Sequence, residues 1–118
     1  MAEETTTENP DSILEEIKAL LGGLDGCDQF DTDIIIHINT ALSILTQLGV
    51  GPKTGFAIRD KTAVWSDFIP EDMGLEMIKT YVFMKVKLVF DPPLNATVLN
   101  SMKDSVKEYE WRINVAAD

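Results

Sequence analysis

Few side chains in this sequence are of a type that does chemistry, and none has the company that chemistry needs. His37 is the only histidine. It lies among Ile34, Ile35, Ile36 and Ile38, and no motif around it supplies the nucleophile that a catalytic histidine serves. Cys27, the one cysteine, stands between Asp25 and Asp28, negative neighbours that disfavour the thiolate an attacking group needs. Asp25, Asp28, Asp31 and Asp33 invite comparison with a calcium loop, which requires glycine at its sixth position and glutamate at its twelfth. Counted from Asp25 those positions are Phe30 and Ile36, so helix capping and a solvated acidic face account for the aspartates better. Asp67, Glu71, Asp72 and Glu76 are carboxylates of the kind that pair for acid–base work, yet helical proteins place such residues on solvated faces routinely. Gly49-Val50-Gly51-Pro52 is a helix stop, not a phosphate loop. Asn95-Ala96-Thr97 matches a glycosylation sequon but reads as a helix cap. No catalytic, cofactor-binding or metal-binding residue is assigned, and the sequence reads as that of a protein that is not an enzyme.

The elements that carry these residues come from pattern. The chain has 118 residues, the length of one domain with a core of its own. One cysteine excludes an internal disulfide framework. The opening MAEETTTENPD has neither a basic stretch nor an apolar one, so it does not read as a signal peptide. No apolar run approaches the roughly 20 residues of a membrane helix. Twenty acids against ten bases give a net charge of −10. The charge is uneven: residues 1–33 hold ten acids and one base, Lys18, while residues 34–118 are nearly balanced. An acidic surface repels phosphates, which disfavours ordinary duplex binding.

Residues 1–11 read as a flexible acidic tail. Ser12-x-x-Glu15 then matches a capping box, and Ile13, Leu14, Ile17, Leu20 and Leu21 recur at helical spacing up to Gly22-Gly23. A second helix, capped by Asp31 or Thr32, carries Ile34, Ile35, Ile38, Leu42, Leu45 and Leu48 on one stripe and stops at Gly49. Residues 53–69 break that period. Phe56-Ala57-Ile58 and Thr62-Ala63-Val64-Trp65 suggest two short extended pieces, hence a small hairpin or loop. A third helix is predicted from about Met73 to Phe90 and a firm break at Asp91-Pro92-Pro93. Asn95 caps a fourth, to about Trp111, with Arg112–Asp118 as an extended tail. The fold class is mainly α: a small bundle of about four helices with a β-like hairpin or loop insertion. Phe56, Ile58, Val64, Trp65 and Phe68, and the alternating Trp111, Ile113 and Val115, are large apolar groups outside the helical stripes. They serve either the core or contacts with other chains, where large aromatics and arginine are favoured.

The order of these features resembles a known family, the head–tail connector (adaptor, or head-completion) proteins of tailed double-stranded DNA phages and their prophages. The resemblance runs from about residue 12 to 118. It is carried by the leading helix Ile13–Leu21, the helix Asp33–Leu48 ending in Gly49-Val50-Gly51, and the loop through Trp65-Ser66-Asp67-Phe68. Tyr81-Val82-Phe83-Met84-Lys85-Val86-Lys87, the break Phe90-Asp91-Pro92-Pro93 and the ending Glu110-Trp111-Arg112-Ile113-Asn114 complete it. The resemblance implies one helical connector-type domain over residues 12–118 of a structural virion protein at the head–tail junction, assembled in the host cytoplasm. Its subunits form a ring of about twelve beneath the portal protein. The ring extends the DNA channel after packaging and docks the stopper, head-closure or tail-completion protein. DNA is then passing cargo, and no cofactor or membrane is implied. Within that frame Trp111, Arg112, Ile113 and Val115 dock on the portal, Phe56, Ile58, Trp65 and Phe68 meet a neighbouring subunit or the next ring, and Asp25, Asp28, Asp31 and Asp33 face the channel. The residues alone leave two rivals open: a small helical regulatory or nucleic-acid-associated protein of a phage or prophage, and a small enzyme with an acidic site.

Overall fold

A computed structural model describes residues 11–22, 24, 27–69 and 74–117. The expected acidic tail up to Pro10, Asp25 and the predicted start of the third helix at Met73 lie outside the described residues. Among the described residues five helices follow one another: α1 (Ile13–Leu21), α2 (Asp31–Gln47), α3 (Trp65–Phe68), α4 (Leu75–Phe90) and α5 (Ala96–Ala117). The mainly helical small bundle expected from the sequence is what forms.

The ends of the helices follow from local chemistry. Ser12 caps α1 by accepting the Glu15 N–H at 3.2 Å, and the N–H of Gly22 closes the other end on the carbonyls of Lys18 and Ala19. No side chain caps α2, where Phe30 occupies the cap position, although Asp31 and Asp33 place negative charge on the first turn. Asn95 caps α5 by accepting the Val98 N–H at 3.0 Å. The stretch Tyr81-Val82-Phe83 is β-prone, yet it stays helical because Tyr81 and Val82 are buried on the α4 stripe.

Of the expected hairpin or loop insertion the loop is what forms: residues 53–64 are loop, followed by the short α3, and their one ladder-type pairing among the described residues is a bridge between Ser12 and Val64. Ile58 has no strand partner because the Asn39 side chain takes both its backbone groups, accepting the N–H at 2.7 Å and donating to the carbonyl at 3.0 Å. One expectation is corrected, that of the tail. The segment Arg112–Ala117 is not an extended tail but the last turns of α5. Its alternation of Trp111, Ile113 and Val115 is equally compatible with a helix. Ile113 falls seven residues after Val106, so both point to the core from one face.

α2 packs chiefly on α4, α4 packs also on α5, and α1 lies against α2 and α4. Neighbouring members of the α2, α4 and α5 layer run antiparallel. Phe30, before α2, meets Phe90 at the end of α4, with ring centroids 5.6 Å apart. At the opposite end Ala117 reaches the turn after α2, beside Gly49. The core is apolar: Ile13, Leu14 and Ile17 of α1 meet Ile34, Ile38 and Leu42 of α2 and Ile78, Tyr81 and Val82 of α4. Trp65, Phe68 and Ile69 close it from the connecting segment. No helix among the described residues is long and apolar enough to cross a membrane.

Candidate functional site

The polar groups inside the molecule are spent on holding elements together. Lys18, on the inner face of α1, is 1 % exposed, and its ammonium lies 2.9 Å from Asp31 and 3.5 Å from Asp28. Burial alone would lower its pKa; the hydrogen bond and charge of Asp31, with the charges of Glu15 and Asp28, outweigh that and raise it. Trp65 donates its indole N–H to Glu16 at 3.0 Å, and Lys79 pairs with the same carboxylate at 3.2 Å while lying over the Trp65 ring. Tyr81, fully buried, donates to Glu110 at 2.7 Å and ties α4 to α5. Its pKa is driven far up, first by burial and then by the hydrogen bond to Glu110 and that carboxylate's charge.

The acids proposed from the sequence are thereby separated. Asp31 and Asp28 are drawn toward Lys18, Asp31 closely and Asp28 with 87 % of its side chain still exposed. Asp33 is exposed on the outer side of α2. Among the described residues no three His, Cys, Asp or Glu side chains are disposed to hold a metal ion.

The apolar residues of the 53–69 segment divide likewise. Ile58, Trp65 and Phe68 are each 2 % exposed and belong to the core of their own chain, whereas Phe56 is half-buried with its ring 5.4 Å from that of Phe68. At the end of α5, Ile113 is buried. Trp111 and Val115, one turn apart, stand 68 % and 52 % exposed. Arg112 is exposed and ion-paired with Glu108 at 2.8 Å.

Two surfaces were not singled out by the sequence reading. One is an apolar groove of about 610 Å³ at the end of the molecule where α2 and α5 finish and α4 begins. Val50, Phe68, Met77, Ile113, Ala116 and Ala117 line it, with Arg112 as its charged member. The other is the corner between α4 and α5, where Val89, Leu94 and Val98 are exposed, Leu94 completely. Helical spacing hides both, because a groove is built from the ends of elements remote in sequence. Leu94 carried a signal, an apolar residue directly after a proline pair and outside any stripe.

The polar groups of Lys18, Trp65 and Tyr81 serve as ties between elements, and Trp111, Val115, Val89, Leu94 and Val98 stand exposed. A family model described as phage connector protein matches residues 13–118. The chain belongs to that family, and its general role is that of a structural head–tail connector, a virion component that interacts with other phage head or tail proteins. No curated protein and no solved structure matches it.

Proposed function

We propose that the chain is one subunit of a ring seated under the portal protein at the head–tail junction. The ring extends the DNA channel after packaging and presents the surface on which the stopper or tail-completion protein docks. Like other connector subunits it is assembled in the host cytoplasm, and residues 12–118 act as one connector-type domain. The observation that carries this reading beyond family membership is α5. It has 22 residues, about 33 Å of helix, but buries only Val106 and Ile113, and it exposes Trp111, Val115 and Val98. Trp111 and Val115, one turn apart, make an apolar surface of the kind that marks contact with another chain.

Portal docking falls on Trp111 and Val115, because Ile113 is occupied by the core and Asn114 donates to the Leu48 carbonyl at 3.2 Å. Removing Arg112–Asp118 would therefore disturb the fold along with the contact. The double substitution Trp111→Ser with Val115→Ser leaves the core intact. It is expected to weaken binding to the portal protein about a hundredfold, as loss of a central aromatic anchor does. The circular dichroism spectrum and melting temperature should stay unchanged. Undiminished portal binding by this variant would remove the docking assignment. Of the loop residues, Phe56 has surface left to offer a neighbour. Of the acids, Asp33 stands exposed on α2 and is the one assigned to the channel in this reading. Negative charge repeated around a ring axis repels DNA phosphates and lets DNA pass without sticking.

A further inference from the structure

Lys18, Lys79, Lys85, Lys87 and Arg112 are ion-paired. Of the remaining bases, Lys103 and Lys107 lie on α5 beside Asp104 and Glu108, whereas Lys53, Arg59 and Lys61 share one loop. All three are exposed and without an ion pair among the described residues. Their backbone is fixed. The Gly55 N–H closes a turn on the Pro52 carbonyl at 2.9 Å, Asn39 holds Ile58, and the Lys61 carbonyl accepts the Ser12 hydroxyl at 2.7 Å. The acids around the loop are engaged elsewhere. Asp60 accepts the hydroxyl and N–H of Thr62, Asp67 accepts the Val64 N–H at 3.1 Å, and Glu15 of α1 adds its charge to those around Lys18. From Ile34 to Gln47, the part of α2 that holds Ile58 through Asn39, there is no acid at all.

The described chain starts beside this loop. The Asp11 carbonyl accepts the Trp65 N–H at 3.1 Å, Ser12 forms an antiparallel bridge with Val64, and the Ile13 N–H donates to the Ala63 carbonyl at 3.1 Å. Asp11 is thereby held at the Trp65 end of α3, one turn from Phe68. The Phe68 ring in turn meets Phe56 and abuts Gly51, two residues before Lys53. Residues 1–10, which precede that point, carry Glu3, Glu4 and Glu8 and no base. A chain of that length reaches about 33–36 Å when extended. Lys53 and Lys61 are eight residues apart, a span of at most about 29 Å, so all three cations lie within reach of it.

We propose that the strip Lys53, Arg59 and Lys61 is the seat of the chain's own residues 1–10, with Glu3, Glu4 and Glu8 set against the three cations. The occupant is a segment of the same molecule, tethered at Asp11. Exposed ion pairs are weak one by one. Tethering supplies an effective concentration in the millimolar range, so pairs too weak to join separate molecules hold within one. Seated there, the segment neutralises the surplus positive charge of the loop. An anionic segment of a partner then reaches the strip only by displacing it.

Pulsed acetylation of the full-length protein with acetic anhydride, read lysine by lysine in a mass spectrometer, tests the seat. The comparison is between wild type and a variant that combines Glu3→Gln, Glu4→Gln and Glu8→Gln, which keeps the chain length and leaves the core untouched. Unchanged circular dichroism confirms the fold. At low salt Lys53 and Lys61 should react about threefold faster in the variant, the size of effect that a few exposed ion pairs sustain. Lys103 and Lys107, exposed on α5 and likewise without an ion pair among the described residues, serve as internal controls and should react equally in both. High salt should bring the wild-type rates at Lys53 and Lys61 up to those of the variant, because exposed charges are screened. Equal rates at Lys53 and Lys61 in the two proteins would overturn the proposal. Acceleration of all four lysines alike would overturn it too, since that is a diffuse effect of net charge. Protection that grows with protein concentration would place the occupant on another copy and overturn the assignment to the same chain.

Discussion

Asn39 shows how one polar side chain decides the course of a whole segment. Its amide satisfies both backbone groups of Ile58, which is 2 % exposed and has no other partner for them. Asn39→Leu leaves a buried N–H and a buried carbonyl unpaired and is expected to cost about 2–4 kcal/mol, read as a lower urea midpoint at unchanged slope. Tyr81 and Lys18 make a second residue-scale prediction. Both have pKa values raised in the folded state, above ordinary values of 10.0 and 10.5. Groups of that sign contribute their stability fully below the unfolded value and lose it as pH climbs past it. Urea midpoints should hold steady from neutral pH and fall once pH exceeds about 10, and Tyr81→Phe should make that fall shallower. At neutral pH the same variant loses one hydrogen bond, about 1 kcal/mol. None of these ties was legible as such in the sequence. Asn39 and Lys18 stand next to stripe residues, and which polar neighbour turns inward depends on what packs over it. The acids near Lys18 were legible as a cluster, but one base inside it converts two of them from free surface charge into partners.

The helices themselves were largely legible. Four runs of apolar residues at helical spacing, with Ser12, Gly22, Gly49 and the proline pair as punctuation, place α1, α2, α4 and the start of α5. The end of α5 was not, because Trp111, Ile113 and Val115 satisfy a period of two as readily as one of three to four. The decision is made by Val106, Ile113 and the Asn114–Leu48 bond, all of them tertiary. The connection from α2 to α3 depends on Gly51. Its φ is +88°, and a Cβ there would lie 2.4 Å from the Phe68 ring. Gly51→Ala therefore combines backbone strain with a collision against a core aromatic, and a loss of about 2–4 kcal/mol is expected. The melting temperature should fall accordingly, and an unchanged melting temperature would separate Gly51 from the packing of Phe68.

At the scale of the molecule, the net charge of −10 resolves into regions with separate work. Part of the acidity near the start of the chain, Asp28 and Asp31, is paired with Lys18, and Asp33 is exposed on α2. The body carries an apolar groove at one end and an apolar projection at the other. The chain belongs to the phage connector family. The groove and the projection lie at the two ends of one antiparallel layer, so no short motif announced them. The most direct test of the central claim is electron microscopy of the purified full-length protein mixed with its portal protein. Closed rings of one subunit thickness stacked on the portal, with a continuous central channel, are expected. Portal particles that carry no added ring, while the protein remains monomeric beside them, would contradict it.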